Sequence, residues 1–155
     1  MKHLVMKPGE NRCLEYSVAM LLGCTVKELE SGLGNLGQCK VWDLPEPYCR
    51  RSYHIQEIIN YALKQGYTLT PFCTEYTILP TPPHIGAPII NKLTRAYAQN
   101  ILTRFNALLI KPGHAMAWNH LTSGAYEPNG AVWQLSQIWE SLTMFFICNQ
   151  ISPRK

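Results

Sequence analysis

Asn11-Arg12-Cys13-Leu14-Glu15-Tyr16-Ser17-Val18-Ala19-Met20-Leu21-Leu22-Gly23 sets a cysteine directly ahead of an apolar helical pattern. Leu14, Val18, Leu21 and Leu22 recur at helical spacing, and Ala19 and Met20 carry the apolar surface round most of the circumference. A helix apolar on nearly all sides belongs in a core. Asn11 is the candidate N-cap of a helix over 12–22, and Gly23 is its stop. Cys13 then falls in the first turn, where unbonded backbone N–H groups and the positive end of the dipole favour a thiolate.

Working outward, Thr25 opens a second helix with Glu28 three residues on, the spacing of a capping box, and Gly32, Gly34 and Gly37 are expected to break it up. From 36 to 52 periodicity is lost among Trp42, Pro45, Pro47 and Tyr48, which predicts a long surface loop. Helical spacing returns over 54–65 through Ile55, Ile58, Ile59, Ala62 and Leu63, with Gly66 as the stop. Residues 67–72 alternate as a strand does, and the Pro-rich 79–83 excludes regular structure. A further helix is expected within 91–104.

Beyond it, Ala107-Leu108-Leu109-Ile110 is a short apolar run stopped by Lys111-Pro112-Gly113. Three strand candidates follow, 114–118, 124–127 and 131–134, separated by turn residues, so an antiparallel meander is expected. A short helix over 135–140 and a closing strand over 143–148 complete the sheet. With eleven prolines and ten glycines in 155 residues, an all-helical bundle is excluded in favour of an α+β class, and the length fits a single domain over 1–155.

The net charge of +4 comes from scattered basic residues, with no RNP, zinc-finger or basic-helix signature, so no nucleic-acid partner is expected. Residues 1–9 carry no apolar signal core and no run is long enough to span a bilayer, which predicts a cytoplasmic protein without a membrane partner. In that compartment the six cysteines are expected as thiols, with Cys24, Cys73 and Cys148 filling core. Cys39, Cys49 and His54 are close in sequence but irregularly spaced and lack a fourth ligand, so no metal is expected. The Gly32-x-Gly34-x-x-Gly37 spacing follows a helix rather than a strand, and no dinucleotide or other cofactor is expected.

A cysteine nucleophile needs a base to take its proton and a third group to orient the base. His114 opens a strand after Gly113, and Glu127 ends a later strand at a Pro turn. In an antiparallel hairpin the start of one strand lies beside the end of its partner, so His114 and Glu127 are expected at one edge of the sheet. Taken singly, Cys13 also fits a core thiol, His114 a structural histidine and Glu127-Pro128-Asn129-Gly130 a good turn. Trp42, Trp118, Trp133 and Trp139 are candidates to line a peptide groove, though packing is the first use of aromatic residues.

The ordered set of the Cys13 helix, then Gly113-His114-Ala115-Met116-Ala117-Trp118, then Tyr126-Glu127-Pro128-Asn129-Gly130 resembles the papain-like cysteine peptidase superfamily. Within it, the chain resembles the peptidases that cleave bacteriocin leaders and related small phage and bacterial effector proteins. The resemblance implies a papain-like fold, an N-terminal helical half whose Cys-bearing helix packs on a C-terminal antiparallel sheet. It implies a cysteine hydrolase, a peptidase, with Cys13 as nucleophile, His114 as base and Glu127 as orienting acid, acting on a peptide or protein. Asn129 is the rival for the orienting role. Where such proteins carry a Gln six residues before the Cys, this chain has Lys7, which leaves the Cys13 backbone N–H and Asn11 as oxyanion donors. The alternative implied by that departure is a papain-fold binding module without turnover that sequesters a host protein or ligand.

Overall fold

The structure, a computed structural model, describes residues 1–34, 39–42, 50–77 and 92–151. Its N-terminal part carries α1 (Cys13–Leu22), α2 (Val26–Leu33), β1 (Cys39–Trp42), β2 (Arg50–Ser52) and α3 (Ile55–Lys64). Then come β3 (Tyr67–Cys73), α4 (Arg95–Leu102), β4 (Asn106–Lys111), β5 (His114–Asn119), β6 (Gly124–Tyr126) and β7 (Val132–Trp133). The chain closes with α5 (Leu135–Ile138), a 3-10 turn at Trp139–Ser141 and β8 (Met144–Gln150).

Six strands form one antiparallel sheet in the order β3-β8-β4-β5-β6-β7. Side chains alternate across it, and both faces of its central strands β8, β4 and β5 are covered. On one face Leu108, Ala115, Ala117 and Phe146 join Val18, Ala19, Leu22, Leu29, Ile58 and Ala62 from α1, α2 and α3. On the other, Leu109, Met116, Trp118, Phe145 and Ile147 join Ala98 and Leu102 of α4 and Leu135 and Ile138 of α5. Two buried faces explain why β4, β5 and β8 read as unbroken apolar runs instead of alternating with polar residues. The expected α+β class holds, with the cysteine-led helix packed on the sheet and a second helical layer behind it.

Local chemistry sets several boundaries. Thr25 and Glu28 form the capping box on α2, with Glu28 N–H donating to Thr25 Oγ1 at 3.1 Å and Thr25 N–H to Glu28 Oε2 at 2.7 Å. Gly32 does not break that helix. It lies inside it, because a Cβ there would fall 2.2 Å from the ring of Tyr61 on α3. The β4–β5 hairpin turns on Pro112-Gly113, where Pro fixes its φ and Gly113 takes φ 70°, and Lys111 pairs with His114 across the turn.

Three further expectations are corrected. Arg12, with φ −132° and ψ 37°, is the N-cap of α1, and exposed Asn11 lies one residue outside the helix. Neither supplies a side-chain cap bond; Tyr16 N–H to Arg12 O opens the ladder at 3.1 Å. Part of 36–52 is a hairpin, β1 against β2 with Cys39 opposite Ser52. Strands this short and rich in basic residues carry no readable alternation. The strands flanking the Glu127 turn are also shorter than expected, so Glu127 and Ala131 stand just outside them. The Pro-rich 79–83, Gly37 and Cys49 lie outside the described residues.

Cys13, Cys24, Cys73 and Cys148 are thiols. Burial pushes the Cys148 thiol up to about 12, as fits a core filler. Among the described residues no helix is long and apolar enough to cross a membrane. Phe145 is fully buried between the sheet and the second helical layer. Phe145→Ala should cost about 3–5 kcal/mol, read as a fall in the urea midpoint with an unchanged slope. Thr25→Ala, which removes only a cap, should cost about 1 kcal/mol in the same measurement.

Candidate active site

Cys13 is the first residue of α1, half-buried against the cluster that α1 shares with Ala115 and Ala117 of β5. The segment before it is held tightly. Lys7 and Glu10 close a turn, with Glu10 N–H donating to Lys7 O at 3.1 Å and Lys7 N–H to Glu10 Oε2 at 3.1 Å. Tyr16 on α1 donates its hydroxyl to the same Glu10 oxygen at 2.8 Å. Arg12 pairs with Glu30 of α2. Glu15, 6% exposed in the first turn of α1, has its carboxyl pushed up by burial, against the pull of its own backbone N–H and Arg12. These contacts tie the start of α1 to the turn before it and to α2.

His114 and Glu127 meet. His114 Nε2 lies 2.8 Å from Glu127 Oε1. The β5–β6 register pairs Ala117 with Tyr126, so one further step sets Glu127 opposite Met116 and diagonal to His114, within reach for a long side chain. Here the extra methylene of Glu over Asp spans the diagonal. Glu127 Oε1 thus faces His114 Nε2 at ion-pair distance, where it favours the protonated imidazole.

Glu127 itself is 7% exposed. Burial pushes its carboxyl up, but the Trp133 indole N–H, the His114 and Lys111 charges and the Asn129 side chain outweigh it, so the pKa lies below the usual carboxylate value. Trp133 Nε1 donates to Glu127 Oε2 at 2.5 Å. The backbone is anchored too. Glu127 N–H donates to Ala131 O at 2.9 Å, Gly130 N–H donates to Glu127 O at 3.0 Å, and His3 Nε2 lies 2.8 Å from Glu127 O. Gly130 needs its φ of 102° to close this turn.

Of the sequence-predicted residues, Glu127 is therefore the side chain on His114, while Asn129 Oδ1 accepts from Ala131 N–H at 2.9 Å within the turn. Asn11 is exposed just ahead of α1. Two contributors were missed by sequence reasoning. In the sequence Trp133 reads only as groove lining or packing; its place six residues after Glu127 on a hairpin is the available signal. His3, which also stacks on Tyr126 at 4.8 Å, gave none, because its contact spans 124 residues. Among the described residues no group of three or more His, Cys, Asp or Glu is arranged to hold a metal ion. Of the suggested metal ligands, Cys49 and the Cys39 side chain lie outside the described set.

No protein-family profile and no curated protein sequence matches this chain. Among solved structures it is similar to a double glycine motif protease from an AMS/PCAT transporter, crystallised in complex with the leader peptide. That likeness covers 95% of this chain and 90% of the other, with a TM-score of 0.53 and 11% identity. At such identity the shared property is the fold, a papain-like α+β arrangement.

Because Glu127 has a depressed folded pKa, its stabilising contribution is present above the unfolded value and is lost as pH falls through the folded one. In a carbon-13 titration its carboxyl should therefore change below the range of exposed glutamates. Glu127→Gln, which keeps the shape and removes the charge, should lower the His114 imidazole pKa, followed by proton NMR.

Proposed function

We propose that the chain is a cysteine hydrolase, a peptidase, in which Cys13 attacks, His114 carries the proton and Glu127 orients His114. The observation that carries this proposal is the Glu127–His114 pair at 2.8 Å, with Glu127 buried and His114 half-buried, at the head of the strand whose Ala115 and Ala117 join the cluster of the Cys13 helix. Contacts along the N-terminal segment add support. Lys2 and Leu4 share a groove with Ala19, Met20 and Gly23, at the C-terminal half of α1. Met6 N–H donates to Pro128 O at 2.7 Å, beside Glu127. The turn at Lys7–Glu10 then leads the chain into α1.

The chemistry follows from these groups. The thiol proton of Cys13 passes to His114 Nδ1, and the imidazolium is stabilised by Glu127. The N-terminus of α1 favours the resulting thiolate. Sγ bonds to the carbonyl carbon of the substrate and the oxygen takes the negative charge. As that intermediate collapses, the amide C–N bond breaks and His114 returns the proton to the departing amine, leaving a thioester on Cys13. Water, deprotonated by His114, then cleaves the thioester and restores the thiol. The Cys13 backbone N–H and the exposed Asn11 are the candidate oxyanion donors. The substrate class is a peptide or protein chain.

The competing proposal keeps the fold and drops turnover: a binding module, favoured by Lys7 standing where a Gln donor is expected. Its backbone is engaged in the turn with Glu10. Alkylation separates the two. Iodoacetamide at mildly acidic pH should modify Cys13 ahead of the other five thiols, and His114→Ala should slow that reaction by about tenfold to a hundredfold or more. Equal labelling of all six thiols would leave the binding module. With a peptide substrate, Cys13→Ala should abolish cleavage while preserving binding.

A further inference from the structure

The mechanism above gives no role to the strongest polar contact on Glu127, the indole N–H of Trp133 at 2.5 Å from Oε2. Resting on the proposed assignment of His114 and Glu127, we propose that Trp133 is a positioning residue, locking the Glu127 carboxylate onto His114 and holding it ionised.

Glutamate has one more torsion than aspartate, and a carboxylate held by one oxygen can still swing. Here each oxygen has its own partner, Oε1 on His114 Nε2 and Oε2 on Trp133 Nε1, so rotation about the terminal bond breaks one of the two. The indole nitrogen is a donor with no acceptor capacity. A protonated Oε2 would set its hydrogen against the N–H, so the contact selects the ionised acid. Trp133 also keeps 37% of its surface exposed, a costly place for an indole unless its polar end is used.

The device is local. Trp133 pairs with Ala125 across β6 and β7, and Glu127 N–H to Ala131 O closes the intervening turn, so acid and donor belong to one hairpin. Their spacing is set within that hairpin and is independent of how the helices pack. The protein contains an internal comparison, because Trp139 Nε1 donates to Glu75 Oε1 at 2.8 Å, and Trp118 Nε1 donates to Leu102 O.

Nitrogen-15 spectra of the indole N–H groups test this in wild type, Glu127→Gln and Trp133→Phe. The Trp133 indole proton should lie downfield, titrate with Glu127, and move in Glu127→Gln while the Trp118 and Trp139 signals stay. In Trp133→Phe, which keeps the ring and loses the donor, the acid-side inflection of the His114 ring shifts should rise by about one pH unit. The acid limb of Cys13 alkylation should rise with it. A Trp133 indole proton indifferent to Glu127→Gln overturns the inference, and so does an unmoved His114 inflection. Should Trp133→Phe not fold, the wild-type and Glu127→Gln spectra still decide. Selective Cys13 alkylation with an unmoved inflection would remove the role of Trp133 and keep the hydrolase. Unselective alkylation with the expected shifts would remove the hydrolase and keep the Trp133 lock.

Discussion

Everything near the site depends on α1 being buried against the Ala115 and Ala117 face of β5. Small residues on the strand accept a helix whose own surface is apolar nearly all round, from Val18 and Ala19 to Leu22. Burial of this kind is the main driving force for folding, at about 25 cal/mol per Å² of apolar surface. It also has a directional consequence. A helix embedded in a core cannot rotate to suit its first residue, so the orientation of Cys13 is decided by Val18, Ala19 and Leu22. The polar contacts of Glu10, Arg12 and Tyr16 trim the entry to the helix without having to hold it.

The second face of the sheet has a different part. Met116 and Trp118 alternate with the two alanines and are packed under α4 and α5. Strand β5 is thereby clamped from both sides, and the residue at its head, His114, inherits a fixed backbone. Against that rigid strand the acid comes from a turn, and turns need their own support. Glu127 has it from Ala131, Gly130 and His3 on the backbone and from Trp133 on the side chain. A carboxylate 7% exposed would otherwise favour its neutral form, and the surrounding donors and positive charges reverse that preference.

The likeness to the double glycine motif protease, at 11% identity over 95% of the chain, follows from what such a fold demands. A sheet packed between helical layers can be met by many apolar residues of suitable size. Lys7 illustrates where the chain departs from the resembled pattern: its backbone closes the turn with Glu10, so the position serves the approach to α1.

The sequence by itself determined the elements whose signals are local. The apolar spacing of α1, the Thr25–Glu28 box and the Ile55 to Leu63 periodicity are each written within a dozen residues, and each is where that chemistry puts it. The meeting of His114 with Glu127 was legible too, because hairpin geometry converts sequence order into adjacency. Tertiary structure alone decided the rest. Only packing shows that Gly32 sits inside α2 to clear Tyr61, since the neighbour belongs to another helix. Only the assembled fold shows that His3 reaches Glu127 across 124 residues. Local pattern fixes which segments are helix or strand, whereas a side chain's partner depends on what the whole chain brings within 3 Å of it.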